Sequence, residues 1–133
     1  MPIYVEKLED EPIIFLTLQA PLRLPEEMRS AIDEIAHMIE QFYGIYYRIV
    51  DVSDPDIRFN DIVMAIAESA KGKPGSMTDP RARNVYVGDG EIVDLLAGSP
   101  LHKQYNSREA YQFPTMDKAL SYVRSALIRK TDG

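Results

Sequence analysis

Residues Ile45–Gly72 run "IYYRIVDVSDPDIRFNDIVMAIAESAKG". The opening, Ile45 to Val52, is dense in β-branched and aromatic residues with little polar alternation, which predicts a central strand covered on both faces. An acidic turn follows, with Asp54, Pro55 and Asp56 placed where a chain reverses direction. Beyond it, Ile62, Ile66 and Ala70 form one apolar stripe at helical spacing, Val63 and Ala67 widen it, and Gly72 with "KPG" ends it. Strand, turn and amphipathic helix in that order predict one strand–helix unit of an α/β sheet.

The rest of the chain extends this unit in both directions. Upstream, Ile3–Val5 and Ile13–Leu18 are short β-favouring runs separated by "EKLEDEP", whose charges and proline suit the turn of an antiparallel hairpin. In "LPEEMRSAIDEIAHMIEQFYG", Met28, Ile32, Ile35, Ile39 and Phe42 recur at three- and four-residue steps. Pro25 at the start, acids in the first turn and Gly44 as a stop mark it as a helix. Downstream, "NVYV" (Asn84–Val87) reads as a strand, "GDG" as a turn and "EIVDLLAGSP" as a short third helix. "YQF" is a last strand. "PTMDKALSYVRSALIRK" is a final amphipathic helix, with Thr115 as N-cap and Ala119, Leu120, Val123, Ala126 and Leu127 facing inward. The predicted order is β-β-α-β-α-β-α-β-α, a single α/β domain on one mixed sheet in which right-handed crossovers follow a hairpin.

Composition narrows the function. A chain of 133 residues with 45% hydrophobic content suits one core. With no cysteine and His37 and His102 as its only histidines, it has no disulfide framework, no thiol nucleophile and no zinc set of thiolates or several histidines. A net charge of −6 argues against binding a nucleic-acid backbone. The N-terminal "MPIYVEKLEDEP" carries acids where a signal peptide carries basic residues, and no apolar run approaches the roughly 20 residues of a membrane span, so the expected location is the cytoplasm.

The element order resembles that of the STAS domain, the fold of anti-sigma-factor antagonists, sulfate-transporter tails and SpoIIAA-like proteins. In that family a central strand runs through an aspartate and a hydroxyl residue into an Asp-Ser-Ser/Thr-Gly turn at the start of a helix. Here "IVDVS" leads through "DPDIRF" to "NDIVMAIAESAKG" at similar spacing. "VYVGDGEIVDLLAGSPLHKQY" is similar to the family's later strand, loop and helix, and "FPTMDKALSYV" to its closing segment. The resemblance runs from Ile13 onward. It implies a regulatory module that binds another protein through this turn, with no cofactor. Counted without a gap, the family's Asp-Ser-Ser-Gly falls on Phe59, Asn60, Asp61 and Ile62, which places Asp61, or Asn60 after a one-residue slip, at the switch serine. Neither carries a hydroxyl, so the kinase-operated charge switch of the family is missing from this position.

Two accounts of the turn follow. In one, Asn60 or Asp61 caps the helix and Asp54 with Pro55 makes a turn, with no ligand. In the other, Asp56, Arg58, Phe59, Asn60 and Asp61 form a surface that a partner recognises, with Phe59 either an exposed anchor or a core residue. Lys71, Lys73, Arg81 and Arg83 flank the loop "GKPGSMTDP" as a possible anion-binding set, and Ser76 and Thr78 offer hydroxyls for modification. "GDGEIV" has two glycines of a dinucleotide fingerprint, but Val93 stands at the third position and a tight turn is the better reading. The acidic turn lacks the glycine and terminal glutamate of a calcium loop. No spacing suggests a catalytic triad. Pro2 would be an N-terminal amine base, as in tautomerases, if Met1 were removed, although a second strand intervenes before the helix. A further non-enzymatic reading is a small apolar ligand, or lipid, held among adaptable side chains such as Met28, Met38, Met64 and Met116.

Overall fold

The N-terminal hairpin forms as β1 (Ile3–Lys7) and β2 (Ile13–Leu18), paired antiparallel with Val5 opposite Leu16. A computed structural model describes residues 3–69, 74–75, 79–90, 92–94 and 111–132. In it β3 (Tyr46–Asp51), β4 (Ala82–Val87) and β5 (Tyr111–Phe113) add in parallel, giving one mixed sheet in the order β1-β2-β3-β4-β5. The strand read as central is central. From Tyr46 to Val50 every residue of β3 is buried, because helices cover both faces of the sheet.

Alternation along the strands divides the core in two. Ile14, Leu16, Tyr46, Val50 and Tyr86 point to the face covered by α1 (Glu26–Ile39) and α2 (Phe59–Ser69). Ile13, Tyr47, Ile49, Val85 and Val87 point to the face covered by α3 (Met116–Asp132). Met28, Ile32, Ile35 and Ile39 of α1 are buried as their spacing predicts. The helix stops at Ile39, so Phe42 lies beyond it, packed against the same core and stacked on Tyr46 at 6.3 Å between ring centroids. Thr115 does cap α3: its hydroxyl accepts from the Lys118 amide at 3.3 Å. Ala119 and Val123 are buried beneath that helix, with Leu120, Ala126 and Leu127 packed beside them.

Helix α2 departs from its sequence pattern in two ways. Helix α2 begins at Phe59, and the Asp61 and Ile62 amides donate to the Arg58 carbonyl at 3.1 and 3.3 Å. Asn60 and Asp61 are therefore inside the first turn and not at the cap. Asp61 favours the helix through its charge near the positive end of the dipole, worth about 0.3–1 kcal/mol. The inward stripe is the buried Ile62 and Ala65 with the half-buried Ile66, whereas Val63 and Ala67 face solvent and do not widen it. Of the third helix, Ile92–Asp94 is helical and Val93 is buried; its remainder, with Pro2, Ala70, Lys71, Gly72, Lys73, Ser76, Thr78 and His102, lies outside the described residues.

One loop position is sterically demanding. Gly75 has φ +84°, and a Cβ there would stand 2.8 Å from the Ile32 carbonyl oxygen and 3.0 Å from the Ala36 amide nitrogen. Gly44 has φ +78° with nothing within 4 Å of that point. Gly75→Ala is expected to cost about 2–4 kcal/mol, adding a clash with the α1 backbone to the left-handed conformation. Gly44→Ala, with the conformational cost alone, should lose about 1 kcal/mol. Urea unfolding of the two variants checks this ranking, and equal losses would contradict the close approach of Gly75 to α1.

Candidate interaction surface at the acidic turn and helix α2

The C-terminal ends of the parallel strands form one rim. Asp51 ends β3 opposite Val87 in register, so the loops leaving β3 and β4 emerge side by side. Ser53 folds back on Asp51, donating to Oδ1 from its amide at 2.9 Å and its hydroxyl at 2.6 Å. Asp54 does more than turn the chain. Its Oδ1 accepts from the Asp56 amide at 3.0 Å, its carbonyl from the Ile57 amide at 3.3 Å, and its Oδ2 from the Ala20 amide at 2.8 Å, tying the β2–α1 loop to the β3–α2 turn. The donors from Asp56 and Ala20 hold its carboxyl below the ordinary carboxylate range.

The turn and the first turn of α2 bring together Asp56, Arg58, Phe59, Asn60 and Asp61. Asp56, Arg58 and Asn60 are exposed, Asp61 is half-buried, and Phe59 is 54% exposed, which resolves its two readings in favour of the surface. Two residues join it that the apolar pattern assigned elsewhere: Val63 at 46% and Met64 at 42% exposure. Phe59, Val63 and the exposed Ala67 are four residues apart and share one flank of α2. On another side of the helix the buried Glu68 carboxylate accepts from Arg29 Nε of α1 at 2.9 Å. The sequence signal for this arrangement is apolar residues spread around α2, more than a single core stripe requires.

Of the basic loop set, Arg81 and Arg83 lie within the described residues. Arg81 donates from Nε to the Gly44 carbonyl at 2.8 Å and from Nη2 to those of Phe42 and Ile39 at 2.9 and 3.4 Å, fastening the C-terminal end of α1. Arg83 Nη1 bonds the carbonyls of Pro80 and Ala82, each at 3.1 Å. Carbonyl acceptors therefore engage both guanidinium groups.

Behind α2 lies a buried polar centre. Arg48, 3% exposed, donates from Nε to Asn84 Oδ1 at 2.8 Å and from Nη1 to the Gly75 carbonyl. Asp79 accepts from the Tyr46 hydroxyl at 3.0 Å, the Gly75 amide at 2.9 Å and the Arg81 amide at 3.0 Å. Burial first, then the Asp79 carboxylate, pushes the Tyr46 phenol above its ordinary range, so it stays a neutral donor. The cavity between α2 and the sheet, where Arg48 and Asn84 meet Leu16, Met28, Ile62 and Tyr86, measures about 40 Å³. A small-molecule site takes roughly 300–1,000 Å³, so this space suits water and is too small for a lipid chain. Met28 is core and Met64 is surface.

Other candidate chemistry stays apart. His37 Nδ1 lies 2.9 Å from the Asp33 carbonyl on the exposed side of α1. Gly88 and Gly90 make a turn in which the Gly88 amide donates to the Phe113 carbonyl at 3.0 Å. Among the described residues no group of three or more acidic or histidine side chains is arranged to hold a metal ion. No helix among them is long and apolar enough to cross a membrane. Comparison with protein-family models, curated proteins and solved structures finds no match to this chain.

The depressed Asp54 carboxyl sets a pH dependence. Because its folded pKa lies below the ordinary value of about 3.9, its contribution is complete above that pH and is lost as pH falls through the folded value. Asp54→Asn cannot ionise and offers one acceptor oxygen where two are used. The stability gap between native chain and Asp54→Asn should be widest near neutrality and should narrow on acidification. A gap independent of pH in denaturant titrations would contradict the tie to Ala20.

Proposed function

We propose that the chain is a non-catalytic regulatory module of STAS-like or SpoIIAA-like kind that binds another protein through the β3–α2 turn and the outer side of α2. The observation that carries this reading is the exposure of Phe59, Val63 and Met64 on one short helix, beside a turn held rigid by Asp54. Isolated exposed apolar side chains are ordinary, but several on one rigid element make a docking surface. The sequential sheet, a hairpin followed by parallel strands, also supports the family reading. So does the position of Phe59–Ile62 as the first turn of α2, where the family keeps its switch.

On this reading the module lacks the family's serine switch at that turn. Asn60 and Asp61 stand in its place and present a fixed amide and carboxylate. Recognition then rests on shape and permanent charge, and any regulation acts through the partner or its abundance. The ligand-carrier reading receives no support from the small cavity behind α2.

The test is a comparison of native chain, Arg58→Glu and Val63→Glu as affinity baits from the source cells. Both substituted side chains are exposed, so thermal midpoints should change little. A partner recovered with the native chain is expected to fall at least ten-fold on Val63→Glu. One retained equally by all three baits would remove this face from the binding surface.

A further inference from the structure

The charge around this face identifies the kind of partner that fits it, an inference that rests on the docking reading above. Asp51, Asp54, Asp56, Asp61, Asp89 and Asp94 lie at the ends of β3 and β4 or in the first turns that follow these two strands; among the described residues there Arg58 is the cation, and Arg23 is exposed in the β2–α1 loop that Asp54 ties to the turn. Asp54, Asp56 and Asp61 come from the segment that delivers Phe59. Asp89 and Asp94 come from the neighbouring loop, whose strand is in register with β3. The apolar flank of α2 therefore starts, at Phe59, from an acidic end of the sheet, where Asp51, Asp54 and Asp94 already accept from Ser53, Ala20 and Gln112.

This pattern rejects several occupants. A second copy docking through the same face would bring its own carboxylates against these, and the chain as a whole carries a net charge of −6. An anionic membrane surface would be repelled for the same reason. A helix with an apolar stripe flanked by lysine or arginine meets both features at once: its stripe covers Phe59, Val63 and Ala67, and its cations reach the aspartates. We infer that the occupant of the α2 face is a basic amphipathic helix of a partner protein.

Two synthetic helical peptides with the same leucine stripe, one with lysines on its polar positions and the other with glutamates, provide the probe. Amide shifts of the labelled full chain locate binding, and titration at low and moderate salt measures it. The lysine peptide is expected to shift the amides of Phe59–Ala67 and to bind at least ten-fold more tightly than the glutamate peptide at low salt, with the preference shrinking as salt rises. In Phe59→Ser/Val63→Ser, which leaves every charge in place, its affinity should drop at least ten-fold. If the glutamate peptide bound the same amides as well as the lysine peptide, the charge inference would fall and the docking face would stand. Lysine-peptide shifts spread over the acidic surface without α2, or no α2 shifts with either peptide, would overturn both.

Discussion

A guanidinium buried in the middle of the sheet constrains the rest of the structure. Arg48 sits on the central strand at 3% exposure, where a charge without hydrogen-bonding partners would be costly. Its acceptors come from separate parts of the chain: Asn84 from the next strand and the Gly75 carbonyl from the α2–β4 connection. Asp79 holds the amide of the same Gly75 and the hydroxyl of Tyr46, so both ends of one residue are gripped by buried polar side chains. Gly75 in turn lies against the α1 backbone, where a side chain has no room. Strand pairing, the exit from α2 and the seat of α1 are thereby joined through a few hydrogen bonds.

That centre also bears on the orientation of α2. Ile62, Ala65 and Ile66 line the small cavity with Arg48, Asn84 and Tyr86, and with that side turned inward the flank bearing Phe59 and Val63 is left in solvent. At the other end of the unit, Asp54 fastens the turn to Ala20. The exposed apolar side chains are thus displayed on a helix fixed at its entry, which lowers the entropic cost of binding compared with a flexible loop.

Much of the fold was legible because it rests on local pattern. The period-two and unbroken apolar runs gave β2 and β3, the three- and four-residue steps gave α1 and α3, and Thr115 marked a helix start. The errors arose where non-local packing decided the outcome. Val63 fits an apolar stripe as well as its neighbours do, and only the placement of α2 over the sheet turns it outward. Asn60 and Asp61 are good capping residues, yet the turn closed by Asp54 starts the helix earlier, at Phe59. The sequence displays Arg48 as an arginine in an otherwise apolar strand, but its partners, distant in sequence, follow no spacing rule. Arg81 reads as a loop cation for the same reason, although α1 carbonyls far upstream engage it.

Helix α2 keeps Ile62 and Ala65 inside and presents Val63 and Met64 to solvent. The chain has no cysteine, so single cysteines placed at 62, 63, 64 and 65 can report this through their rates of thiol alkylation in the native protein. Fast modification is expected at 63 and 64, near the rate of the unfolded chain, with protection of at least a hundred-fold at 62 and 65. Protection at 63 and 64, or fast reaction at 62 and 65, would contradict this placement of α2.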